Sequence, residues 1–219
     1  MSIFDEETKA TLIEIFSRLP RKVVDYLVIS DVDCSTCNEA EILARELMSL
    51  SRNKLEFKII PRDSNEARKL NPRYVPAFVY GTPKYNVRYY GLPSGQEFPP
   101  FIYMHEYIAT GKVRLPSTMV DEVKKIKTPL HVKVFVTPEC PYCPIVVDTL
   151  NQIGLINGNI LVETIEAMEL PWEADKYNVM YVPAVIVNDI ERIDGYASPD
   201  MIIELLKNAE KKLREKGVY

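Results

Sequence analysis

Four cysteines stand in 219 residues, and they fall as two pairs, Cys34-Ser35-Thr36-Cys37 and Cys140-Pro141-Tyr142-Cys143. A bridge inside either pair closes a very small loop, which constrains the unfolded chain least, so stabilisation is a poor reason for it. The spacing suits reversible exchange instead. One cysteine attacks a disulfide as the thiolate, and a second one three positions later resolves the mixed disulfide. Cys34, Cys37, Cys140 and Cys143 are therefore the candidate catalytic residues, with Cys34 and Cys140 expected at exposed turns as the attacking thiols. Zinc is the competing use of four thiolates. Zinc modules separate their pairs by about 15–20 residues, whereas residues 38–139 intervene here. A non-catalytic zinc-binding interaction module stands as the alternative, and no metal site is expected.

A thiolate at neutral pH needs a positive neighbourhood. A helix N-terminus supplies one through its unpaired N–H groups and the positive end of its dipole, and can bring a thiol pKa from about 8.5 to about 3.5–7.5. The sequence places such an element after each pair. The apolar, β-branched run 23–29 reads as a buried strand, and Ala40, Leu43, Ala44, Leu47 and Leu50 then recur at helical spacing. Likewise a strand over 132–136 runs toward Cys140, and a helix over 145–153 follows. Pro141 presets φ for a first turn, and Pro144 lacks only an N–H that early helix positions leave unpaired. The Ser35 and Thr36 hydroxyls can donate to a thiolate, so the first pair is expected to differ in potential from the second.

These elements are written twice. Helix 4–18, strand 23–29, helix 38–50, strand 55–60, short helix 65–70, strands 77–80 and 87–90 and a closing helix 97–109 make the first series. The second runs through a helix over 120–126 with Ser117 as its N-cap, strand 132–136, helix 145–153, strand 160–165, short helix 172–177, strands 184–187 and 190–193, and a closing helix 201–212. The first cysteines lie 106 positions apart, the Val-Pro-Ala tripeptides 107, and the glycines after the last strands, Gly91 and Gly195, 104. The spacing predicts two units, 1–115 and 116–219. Each is an α/β unit with a mixed sheet flanked by helices on both faces, its last two strands antiparallel because their connection is too short for a crossover.

Composition narrows the function classes. A formal net charge of −4 leaves no basic footprint for nucleic acid. No run approaches the roughly 18 apolar residues of a membrane span. The opening residues MSIFDEETKATL lack the layout of a secretory signal, so a soluble, cytoplasmic protein is expected. There is no Gly-rich phosphate loop for a flavin or nicotinamide, which leaves the redox-active disulfides in place of a cofactor. His105 and His131 read as structural, and Trp172, beside Pro171, as a core or partly buried side chain.

At CPYC the sequence resembles the glutaredoxin-type redox motif, and Val-Pro before a strand resembles the cis-proline site of the thioredoxin superfamily. The segments RYYGLPSGQEF, VFVTPECPYCP and ADKYNVMYVPA are similar to the archaeal protein disulfide oxidoreductases, which are tandem glutaredoxin-like proteins. The resemblance spans nearly the whole chain. It implies two tandem thioredoxin-like units and a dithiol enzyme that reduces, forms or isomerises disulfides of client proteins. It also implies re-reduction by a flavin-dependent thioredoxin reductase. A dedicated electron donor to a peroxidase, such as a peroxiredoxin, is the narrower alternative. The resemblance further implies cis peptide bonds at Pro76 and Pro183. The backbone of Val75 and Val182 would then pair with a client strand, with Pro141 and Tyr142 completing the substrate-contacting set. X–Pro bonds are overwhelmingly trans, but recurrence 42 and 43 positions after the first cysteine favours cis here. The chain departs from thioredoxin in carrying Val28 and Val134 where a buried Asp stands six residues before the first cysteine, and Asp33 and Glu139 where a Trp precedes it.

Overall fold

The structure, a computed structural model, describes residues 2–217. The first half contains α1 (Glu6–Ser17), β1 (Val23–Ile29), α2 (Cys37–Leu50), β2 (Leu55–Pro61), α3 (Asn65–Leu70), β3 (Ala77–Val79), β4 (Val87–Tyr90) and α4 (Phe98–Thr110), the last preceded by a 3-10 turn, Gly95–Glu97. The second contains α5 (Ser117–Lys125), β5 (Leu130–Val136), α6 (Cys143–Ile156), β6 (Ile160–Glu166), α7 (Pro171–Lys176), β7 (Ala184–Val187), β8 (Glu191–Asp194) and α8 (Pro199–Glu215). Ser117 is the first residue of α5 rather than its cap. Extended Pro116 occupies the cap position, and its carbonyl takes the Val120 N–H at 3.0 Å.

The sheets of the two units are one. Eight strands run in the order β2-β1-β3-β4-β6-β5-β7-β8, and parallel pairing of β4 with β6, from Val87 against Val162 to Tyr90 against Ile165, makes the join. Within each half, the first two strands are parallel and the last two antiparallel. β1, β4, β5 and β6 consequently point the same way, and their C-terminal ends lie along one edge.

Burial separates the two faces. One carries the larger core, with Phe16, Leu47, Phe78, Phe101, Val147, Leu150, Ile202 and Leu206 drawn from the long helices and the sheet. Phe101 alone has four aromatic neighbours with ring centroids between 5.0 and 6.3 Å, Phe57, Phe78, Tyr80 and His105. The other face is covered by α3 and α7, whose Ala67, Leu70 and Ala174 pack on Val79, Phe135, Ile165 and Ile186. Trp172 does not join this packing. In so short a helix the inward positions of α7 go to Glu173 and Ala174, and Trp172 is left 58% exposed.

Polar side chains fasten the join. Fully buried Glu163 on β6 accepts the Tyr90 hydroxyl at 2.7 Å, lies 2.5 Å from His131 Nε2, and has Arg73 Nε at 3.3 Å and Arg88 at 3.6 Å. Burial raises its pKa, but His131, Tyr90 and Arg73 outweigh burial and hold it below the usual carboxylate value. Asn86 donates to the Gly154 and Ile160 carbonyls at 2.8 and 2.7 Å, and Gln152 accepts the Arg114 and Leu115 N–H groups of the connecting segment. Each histidine lies beside a buried carboxylate, His105 Nε2 being 2.8 Å from Asp25 Oδ2. Truncating one partner of a buried pair strands the others, at about 3–5 kcal/mol. Glu163→Ala is therefore expected to lower the unfolding free energy by about 3 kcal/mol or more at pH 7, and the difference should shrink as the pH falls below 4.5, because a depressed carboxylate stabilises only while ionised. Denaturant titration at pH 7 and pH 4 measures both.

Candidate active site

Both cysteine pairs emerge at that single sheet edge, after β1 and after β5. Four strand spacings separate β1 from β5, which at about 4.8 Å each puts the pairs about 19 Å apart. Four sulfurs so placed do not converge on one tetrahedral point, and each pair closes on itself. Cys34 is bonded to Cys37 and Cys140 to Cys143, with Cα atoms 5.6 and 5.5 Å apart.

The second cysteine of each pair opens a helix, and the first lies in the turn before it. Neither N-terminus has a side-chain cap: Thr36 and Tyr142 stand at the cap positions of α2 and α6 without making one. The leading N–H groups are thereby left for sulfur. Cys143 N–H reaches Cys140 Sγ at 3.1 Å, whereas in the first unit Ser30 N–H reaches Cys37 Sγ at 3.4 Å. Pro141 falls outside α6, ahead of its cap, and Pro144 is at the second helical position, where no N–H is missed. Cys34 is half-buried. Cys140 is only 6% exposed, less than a turn position suggests, with its sulfur drawn toward the helix start by that N–H.

The Val-Pro segments arrive at the same edge because β3 and β7 begin there. Val75–Pro76 and Val182–Pro183 are both cis, and the glycine after each closing strand donates to the proline carbonyl, Gly91 to Pro76 at 3.1 Å and Gly195 to Pro183 at 2.7 Å. Val75 shares a buried cluster with Cys37, Val28 and Ala77, and Val182 packs on the core that holds Cys140 and Cys143. Pro76 and Pro183 are buried, and Pro141 and Tyr142 exposed.

Residues 130–207 match the family model for the thioredoxin domain. A protein disulfide oxidoreductase from Aeropyrum pernix K1 superposes with a TM-score of 0.87 over 96% of both chains at 24% identity. The chain has the tandem thioredoxin fold. Among curated relatives, an NADH dehydrogenase of Bacillus subtilis is 26% identical over 92% of this chain, and an alkyl hydroperoxide reductase component of Staphylococcus aureus is 29% identical over 62%. The matched part is 37% of the first and 26% of the second, so the chain spans well under half the length of either relative.

Three features of this tandem fold were not read from the sequence. The thioredoxin-like units brace each other's cysteine loops: Gln96 N–H donates to the Pro138 carbonyl, two residues before Cys140, at 2.8 Å. Gly95 (φ 56°) is required there, since a Cβ would sit 2.4 Å from that carbonyl oxygen. Glu169 of the second unit accepts the Thr36 hydroxyl inside the first motif, so that hydroxyl serves a carboxylate rather than a thiolate. Lastly, Glu97, beside Gln96, is fully buried without a hydrogen-bond partner, and burial pushes its carboxyl up to about 8. Only its place in the 3-10 turn ahead of α4 could have marked it, and that turn has no pattern of its own.

The folded protein thus keeps the Glu97 proton at neutral pH, while the unfolded chain releases it near 4.5. Stability contributed this way falls as pH rises from about 4.5 to about 8. Glu97→Gln removes the titration. It is expected to narrow the stability difference between pH 5 and pH 8 by more than about 1 kcal/mol, a tenfold change in proton affinity being worth about 1.4; an unchanged difference in denaturant titrations would refute the assignment.

Proposed function

We propose that the protein is a dithiol–disulfide oxidoreductase of client proteins, its units taken as 1–115 and 116–219 and its catalytic residues as Cys34, Cys37, Cys140 and Cys143. The observation that carries the reading is the pair of Cys-x-x-Cys bridges, each at an uncapped helix N-terminus on one edge of the sheet. In the reductive direction, the Cys140 thiolate attacks a client disulfide. A Cys140–client bond forms, and the displaced client sulfur takes up a proton. Cys143 then loses its proton, attacks Cys140 Sγ and releases the second client sulfur as a thiol. Two electrons and two protons reach the client, and Cys140–Cys143 is again a disulfide. An external dithiol restores it, and a flavin-dependent thioredoxin reductase is the proposed source. The same steps in reverse oxidise a client dithiol.

The surroundings favour the second pair as the client-facing one. Tyr142 and Tyr196, both about half exposed, lie with ring centroids 5.8 Å apart. A groove of about 270 Å³ is lined by Thr137, Met168, Met180, Tyr181 and Val182, of which Met168, Met180 and Tyr181 are at least 70% exposed. Flexible methionines and broad aromatic faces accommodate varied chains, and the Val182 backbone is there to pair with an extended one. Around Cys34 the exposed residues are instead Asp31, Asp33, Ser35, Asn38 and Glu39, with Val32 the apolar exception. Similarity to the alkyl hydroperoxide reductase component supports a second reading, electron donation to a peroxidase.

Cys140→Ser is expected to remove most dithiol-dependent insulin reduction, and full retention of turnover would overturn the assignment. Cys143→Ser should accumulate mixed disulfides at Cys140. Mass spectrometry of trapped species separates the readings: many clients support the general oxidoreductase, a single peroxidase the dedicated donor.

A further inference from the structure

The loop between β6 and α7 reaches out of the second unit into the redox motif of the first. Glu169 accepts the Thr36 hydroxyl on Oε2 and the Leu92 N–H on Oε1, the latter at 2.7 Å. Its own N–H is held by Glu166 at 2.6 Å. Gly91 (φ 100°) makes room for both acids, since a Cβ there would lie 2.7 Å from Glu166 Cβ and 3.2 Å from Glu169 Cδ. The second motif is built differently. Tyr142 stands where Thr36 would be, and Cys140 Sγ receives an N–H.

We propose that Glu169 is a positioning residue that sets the reduction potential of the Cys34–Cys37 pair from the opposite unit, making it the more reducing of the two. This rests on the reading that the pair cycles. In its reduction an external dithiol gives up two electrons and closes to a disulfide. The Cys34–Cys37 bond breaks, and both protons pass to the sulfurs except for the fraction of Cys34 that remains thiolate. A carboxylate fastened to Thr36, between the two cysteines, places negative charge within the motif whose sulfur must become negative. It also engages the Thr36 O–H, which is then not free to donate to a thiolate. Both effects oppose the thiolate and hence the reduced form. Cys140, which has an N–H and no such carboxylate, is under no equivalent handicap. The two couples on one edge therefore differ in poise, and the difference is imposed by a side chain 133 residues away from Thr36 in sequence.

The experiment measures equilibrium with dithiothreitol for Cys34–Cys37 in full-length chains with Cys140 and Cys143 both replaced by Ser. It is paired with the pH profile of Cys34 alkylation in a further Cys37→Ser chain. Glu169→Gln is expected to move the equilibrium at least threefold toward the dithiol, about 14 mV for two electrons, and to shift alkylation to lower pH. Glu169→Asp should restore most of the parent behaviour, and the second pair, measured with Cys34 and Cys37 replaced, should not move. Should the Gln chain fail to fold, Glu169→Ala, which removes the carboxylate and frees the Thr36 hydroxyl, is expected to raise the potential in the same sense. An unmoved potential and alkylation profile, or an equal shift of both pairs, overturns the inference. A Cys34–Cys37 bridge that no dithiol can reduce defeats the functional reading along with it, whereas a cycling pair of unchanged potential defeats the inference alone.

Discussion

Parallel pairing of β4 with β6 is the constraint on which the rest depends. Without it the two halves would each end in an exposed strand, a ready template for unwanted pairing. With it, β4 and β6 exchange main-chain hydrogen bonds in the middle of an eight-stranded sheet. The junction carries buried charge as well as apolar surface, and Glu163 collects hydrogen-bonding and ionic partners from β4, β5 and the segment before β3. A buried carboxylate is tolerable only with such company.

The pairing also decides the geometry of the chemistry. Because β1 and β5 run in the same direction, both cysteine pairs open on the same side of the molecule. Because three whole strands separate β1 from β5, the sulfurs of one pair cannot reach those of the other directly. Each pair accordingly closes on itself, as a bridge of its own. The reciprocal contacts at this edge, Gln96 on Pro138 and Glu169 on Thr36, mean that neither cysteine loop is shaped by its own unit alone.

Much of this was legible in the chain. The strands over 23–29, 87–90 and 184–187 and the helix over 65–70 lie where the pattern of apolar residues puts them. The helices after the cysteines begin earlier than expected, at Cys37 and Cys143, because the apolar period starts only where a helix meets the core and a first turn can face the active edge instead. Both Val–Pro bonds are cis, as their recurrence suggested. The same reading misplaced Trp172, since one aromatic in a two-turn helix has no period from which its direction can be inferred.

The sequence by itself determined the two thiol couples, the helix that follows each, the tandem order of elements and the proline at the start of each third strand. All of these are encoded within a few residues, in side-chain type and spacing. Only the tertiary structure decided that the two sheets merge, that Cys140 lies nearly buried, that Glu97 keeps its proton in an apolar setting, and that a carboxylate of one unit holds a hydroxyl in the other. Those properties belong to groups far apart in the chain. Strand pairing, desolvation and charge proximity depend on distance in space, for which a linear pattern holds no local signature.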